Sequence, residues 1–213
     1  MLKTEVIPEE KISFIKNQLS IPEKFKIIQK NDVTVTNVKY AIESMEGRTL
    51  YHFKGKVFKD KFTFLDDKKN ELYSMNLKKK QSDTYEYIIE NKKTKKILTC
   101  ELEKEASMVY YSYKITFQNH TTGKKDILYI NSTTKQTEIY HGGRKTENGQ
   151  LICLSVKSDT MSASHNVIPT YLIQMKQGYD QTFVLLLLIC AIRITHGNFE
   201  KPLMYAPSIA NLG

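Results

Sequence analysis

The chain has 213 residues, of which 40% are hydrophobic and 26% charged, with 32 basic against 23 acidic side chains and a formal charge of +9. That apolar content excludes a disordered protein, and the length suits one domain around one sizeable core. Arg48, Arg144 and Arg193 are the only arginines, so lysine carries nearly all the positive charge. Lysine lacks the planar fork that reads guanine edges, which disfavours a sequence-specific nucleic-acid reader.

Residues 1–24 contain the helix-start pattern Pro8-Glu-Glu-Lys-Ile-Ser-Phe-Ile-Lys16 and are expected to form an N-terminal arm or short amphipathic helix. No long apolar run precedes it, and Glu5, Glu9 and Glu10 oppose a mitochondrial leader, so a cytoplasmic location is expected. Cys100, Cys153 and Cys190 show no CxxC spacing and read as buried thiols of a reducing compartment.

From about Lys39 to Met175, short runs of Tyr, Phe, Ile, Val and Thr alternate with Asp, Asn, Gly and Lys. This is the pattern of antiparallel strands joined by turns. Tyr85–Glu90, the polar turn Asn91–Lys96 and Ile97–Leu102 make one such hairpin; Tyr111–Phe117 and Ile127–Ile130 make the next. A weak repeat lays Lys39–Lys56 over Lys61–Lys78 with a shift of 22 residues, placing Tyr40 on Phe62, Ile42 on Phe64, Tyr51 on Tyr73 and Phe53 on Met75. The repeating unit is a hairpin, as a meandering sheet requires if it is to close and abolish its edges.

After Pro169 the character changes. Tyr171–Met175 reads as a last strand, Lys176–Asp180 as a turn, and Thr182–Ile194 as an apolar segment whose Phe183–Ile192 holds ten unbroken apolar residues. A membrane span takes about 20, and a helix apolar on every side must be surrounded by protein. The preferred reading is a central helix at about 181–195 inside a closed sheet, with Asp180 as N-cap and His196-Gly197 as the stop. A buried strand and a single-pass anchor are the alternatives. Residues 197–213 read as a C-terminal tail.

No catalytic constellation can be assembled. His52, His120, His141, His165 and His196 are scattered, with neither HExxH nor HxH spacing; no Walker loop, GxSxG elbow or GxGxxG follows a strand. The expectation is a non-enzymatic protein without cofactor or metal. What stands out is lysine clustering at Lys54, Lys56, Lys59 and Lys61, at Lys78, Lys79 and Lys80, at Lys92, Lys93, Lys95 and Lys96, and at Lys124 and Lys125. Converging on one rim, such lysines would attract anionic head groups. Lys54, Lys56, Lys78, Lys79, Lys80, Lys92 and Lys93 are the candidate lipid-binding residues.

Two stretches carry a resemblance. One is the hairpin series with turns Ser44-Met-Glu-Gly47 and Asp66-Asp-Lys-Lys-Asn70; the other is Tyr171-Leu-Ile-Gln-Met-Lys-Gln-Gly-Tyr-Asp180 leading into Phe183–Ile192. Together they resemble the tubby C-terminal-like superfamily of tubby-like proteins, LURP-one-related proteins and phospholipid scramblases, and most nearly the LURP-one-related branch, over about residues 25–196. The resemblance implies a barrel of about twelve strands enclosing the hydrophobic helix. Tubby domains bind phosphoinositides through basic residues and scramblases act on phospholipids with calcium. No lysine here aligns with the tubby ligands, no EF-hand loop is present, and the scramblase leader is missing. The implied function is a module binding anionic phospholipid or phosphoinositide at a membrane surface. A protein-interaction or stress and defence signalling scaffold is the alternative.

Overall fold

The structure, a computed structural model, describes residue 19 and residues 21–30, 37–56, 59–105, 111–120, 122–161 and 167–197. Most of the expected arm and nearly all of the expected tail lie outside these residues. The first half of the chain contributes β1 (Lys24–Lys30), β2 (Asn37–Ser44), β3 (Thr49–Lys56), β4 (Lys59–Asp66), β5 (Glu71–Lys79), β6 (Thr84–Asn91) and β7 (Ile97–Glu105). There follow β8 (Tyr111–Gln118), β9 (Lys125–Ser132), β10 (Gln136–His141), β11 (Gln150–Lys157), β12 (Thr160–Met161), β13 (Val167–Ile168), β14 (Thr170–Met175) and α1 (Gln181–Gly197).

Twelve strands close into one barrel, in the order β1-β14-β11-β10-β9-β8-β7-β6-β5-β4-β3-β2, while β12 and β13 form a separate two-stranded ladder. Closure is made by β1, whose Ile27 faces Tyr171 of β14 on one side and Ile42 of β2 on the other. Alternation then sorts the side chains. In β7, Leu98, Cys100 and Leu102 are buried while Thr99, Glu101 and Glu103 are exposed. A charged outer wall is the reverse of the apolar band that a barrel presents to lipid.

The helix fills the interior. Successive residues of an α-helix point about 100° apart, so ten in a row cover every direction around the axis, and none of Phe183–Ile192 is more than 3% exposed. Only a sheath on all sides does this, which settles the choice among enclosed helix, buried strand and anchor. Among the described residues, no helix is long and apolar enough to cross a membrane. Specific contacts fix the helix within the wall. The Tyr87 hydroxyl donates to the Leu186 carbonyl at 3.1 Å, and the rings of Phe117 and Phe183 tilt against each other at 4.8 Å. Thr195 Oγ1 donates to Ser132 Oγ at 3.0 Å. At its start, Asp180 Oδ1 accepts the Phe183 amide at 3.0 Å, the cap expected from the sequence. The Leu19 amide donates to Thr182 Oγ1 at 2.7 Å and Ile21 is buried, so the end of the expected arm packs beside the helix entrance.

The 22-residue repeat is reproduced down to its irregularities. Tyr40 pairs with Phe53 and Ile42 with Tyr51; in the second copy Phe62 pairs with Met75 and Phe64 with Tyr73. Each ladder has a bulge just past the second of those pairs, between Ile42 and Glu43 and between Phe64 and Leu65. The turns match as well. Ser44 Oγ accepts the Arg48 amide at 3.3 Å and Asp66 Oδ1 the Asn70 amide at 2.7 Å. Each turn passes through a residue of positive φ, Gly47 at 90° and Lys69 at 68°. Gly55 also has a steric reason: a Cβ there would lie 2.4 Å from the ring of Phe62, its register partner.

Candidate functional site

Antiparallel register lines up outward-facing residues into rows that cross the strands. On β1–β4 two such rows run side by side. Lys30 lies opposite Lys39, and Lys39 opposite Lys54, giving three lysines abreast on three adjacent strands. Two residues further along, Ile28 faces Ala41, Ala41 faces His52 and His52 faces Leu65. Over these rows lies a groove of about 390 Å³, rimmed by Lys30, Lys39, Lys54, Lys69 and His52 and lined by Tyr40, Phe53 and Leu65. The sheet thus presents positive charge above apolar side chains that the fold already covers, since Tyr40, Ala41, Phe53 and Leu65 are each no more than 5% exposed.

Like charges directly opposite each other on neighbouring strands are destabilising. Acidic neighbours offset part of this: Glu43 accepts from Lys30 Nζ at 3.0 Å, and Glu71 lies 3.7 Å from Lys54 Nζ. Both lysine side chains remain about half exposed, and exposed pairs of this kind hold charge only weakly.

The lysines singled out from the sequence fall in several places. Lys54 stands in the row itself. Lys56 closes β3, Lys78 and Lys79 close β5, and Lys80 opens the turn into β6. These positions share one end of the barrel, the end at which β1 also finishes with Lys30. Lys92 and Lys93 occupy the β6–β7 turn at the opposite end, with Lys95, Lys96 and Lys124. Besides Lys54, which pairs with Glu71, two more of the candidates are already engaged. Lys80 binds Glu86 at 2.9 Å, a contact that raises its pKa, and Lys92 binds Glu90 at 2.9 Å. Hydrogen bonds from Lys92 and then Ser74 hold the Glu90 carboxyl below its usual range.

Lys30, Lys39 and His52 are not marked as ligands by the sequence, because as isolated residues on separate strands they form no local cluster, and Lys69 reads there only as part of the Asp66–Asn70 turn. Alternation could have marked Lys39 and Lys54 as outward, but their adjacency needed the register.

Other polar groupings serve the frame. The β10–β11 connection folds back over the outer wall, where Arg144 grips both carboxylate oxygens of Glu105, reaches Glu147 and lies 5.0 Å from the Tyr129 ring centre. His141 Nε2 meets Asp126 Oδ1 at 3.0 Å, and Asn119 Nδ2 donates to Asp126 Oδ2 at 3.1 Å. Burial pushes the Asp126 carboxyl up, but the hydrogen bonds from His141, Asn119 and the Ile127 amide outweigh it and hold the group below the usual range. Burial pushes the Cys100 and Cys153 thiols well up, which leaves them protonated and unreactive. Among the described residues no three His, Cys, Asp or Glu side chains converge as metal ligands.

None of the curated proteins and none of the solved structures matches the chain significantly. The LURP-one-related family model does match, over residues 19–192, a span that takes in every strand and most of the enclosed helix. With that coverage and this architecture, the chain belongs to the LURP-one-related family of the tubby-like superfamily.

Proposed function

We propose that the chain is a non-enzymatic binding module that recognises anionic phospholipid head groups at a membrane surface, using the groove on β1–β4. The observation that carries this reading is the cross-strand row of Lys30, Lys39 and Lys54 on the rim of the groove. Phosphate oxygens laid over the lysines would relieve their mutual repulsion. Lys56, Lys78, Lys79 and Lys80, at the same end of the barrel, would add to the attracting field, which salt weakens. The phosphoinositide binding of tubby domains, to which the chain's superfamily is related, supports the same reading. Lys92 and Lys93 sit at the far end and are not assigned to this groove.

Vesicle co-sedimentation tests the proposal. The protein should sediment with phosphatidylcholine vesicles containing an anionic phospholipid or a phosphoinositide, and not with phosphatidylcholine alone, and binding should fall steeply as salt rises. Replacing Lys30, Lys39 and Lys54 together by Gln should weaken binding roughly 100-fold, from about 1 kcal/mol per lysine near the surface. A Lys92→Gln/Lys93→Gln variant should bind as the parent does. Equal binding by the groove variant, or equal sedimentation with neutral vesicles, would refute the assignment.

A further inference from the structure

Among the described residues six large hydrophobic side chains are exposed, and four of them stand on β11–β14: Val156, Met161, Val167 and Leu172. They form two cross-strand pairs. Val156 lies opposite Leu172, and Met161, 65% exposed, lies opposite Val167, 54% exposed. The β12–β13 ladder is held to the foot of β14 by Thr160 Oγ1 and Thr170 Oγ1, 2.9 Å apart. It is only two residues deep on each strand, too small to own a core, so Met161 and Val167 are on display without packing the fold.

The patch abuts the lysine row. The Gln29 amide donates to the Pro169 carbonyl at 2.9 Å, one residue before Lys30, and Leu172 lies opposite Lys26 of β1. Exposed apolar side chains beside a cationic row complement an interface whose outer layer is anionic and whose next layer is hydrocarbon, which is how peripheral proteins combine a shallow apolar insertion with basic contacts. We infer that the β12–β13 ladder is an insertion element: Met161 and Val167 enter the head-group layer of an anionic bilayer while the Lys30, Lys39 and Lys54 row lies on the phosphates. This inference rests on the lipid reading of the groove and adds to it the orientation of the barrel on the membrane.

The three native cysteines are all buried, so a Met161→Cys variant of the full chain can be labelled selectively with an environment-sensitive fluorophore. With vesicles of phosphatidylcholine and phosphatidylserine, the label should shift to the blue and be quenched by spin-labelled acyl chains. A Met161→Ser/Val167→Ser variant, with thermal unfolding unchanged, should partition at least about tenfold more weakly into those vesicles. It should still bind soluble inositol trisphosphate as the parent does. If the parent sediments with the vesicles while the label stays in water and the Ser variant binds equally, the insertion element is wrong and the groove reading stands. Should the parent bind neither the vesicles nor inositol trisphosphate, both readings fall. A concentration-dependent dimer abolished by the Ser variant would assign the patch to a second copy of the chain and overturn the inference.

Discussion

The helix enters the barrel with no access to water, and replacing its cap measures what that enclosure demands. Asp180 and Phe183 are both 0% exposed, and Asp180 Oδ1 accepts the Phe183 amide at 3.0 Å. On an exposed helix, losing such a cap costs about 1 kcal/mol because water takes over the freed amide. Here Asp180→Ala leaves that donor buried, at a desolvation penalty of about 1–3 kcal/mol. Sparing the carboxylate its own burial returns part of this, so a net loss of about 2 kcal/mol, below the upper end of that range, is expected. Asp180→Asn keeps an acceptor oxygen in place and should lose only about 1 kcal/mol. Urea unfolding followed by far-UV circular dichroism and by emission from the 13 tyrosines, free of tryptophan background, gives both values. An Ala variant within about 0.5 kcal/mol of the parent, or an Asn variant no better than Ala, would refute the cap argument.

Tyr87→Phe removes the hydroxyl that donates from the wall to the Leu186 carbonyl and should lower stability by about 1 kcal/mol in the same assay. Ser155 Oγ is buried with no hydrogen-bond partner among the described residues, so Ser155→Ala should raise stability, by up to about 1 kcal/mol; a loss of that size would show that the hydroxyl is satisfied. The Asp126 carboxyl is held below its usual range in the fold. Its contribution is therefore complete above the unfolded value near 3.9 and is lost as pH falls through the depressed folded value. Asp126→Asn should lower stability at pH 6 and flatten the acid limb of a stability profile, whereas an unchanged slope below about pH 4 would remove Asp126 from the account.

Much of the fold follows from local rules. Alternation along β5–β9 sets which side chains face inward, and the matching turns at Ser44 and Asp66 set the hairpin register because a side-chain acceptor and a positive-φ residue recur 22 positions apart. The ten apolar residues from Phe183 to Ile192, too few for a bilayer and apolar on all sides, required a protein sheath wherever the strands ran. Tertiary structure alone decided what depends on distant neighbours. The strand Lys24–Lys30 lies ahead of the region whose pattern reads as hairpins, and its role in closing the barrel exists only because β14 and β2 both lie within hydrogen-bonding reach. The groove has the same origin: Lys30, Lys39 and Lys54 are separated along the chain, and register placed them abreast. Local clustering instead drew attention to Lys78–Lys80 and Lys92–Lys93, which hairpin geometry sends to opposite ends of the barrel. Periodicity is a property of a segment, whereas a surface formed across strands is a property of their pairing.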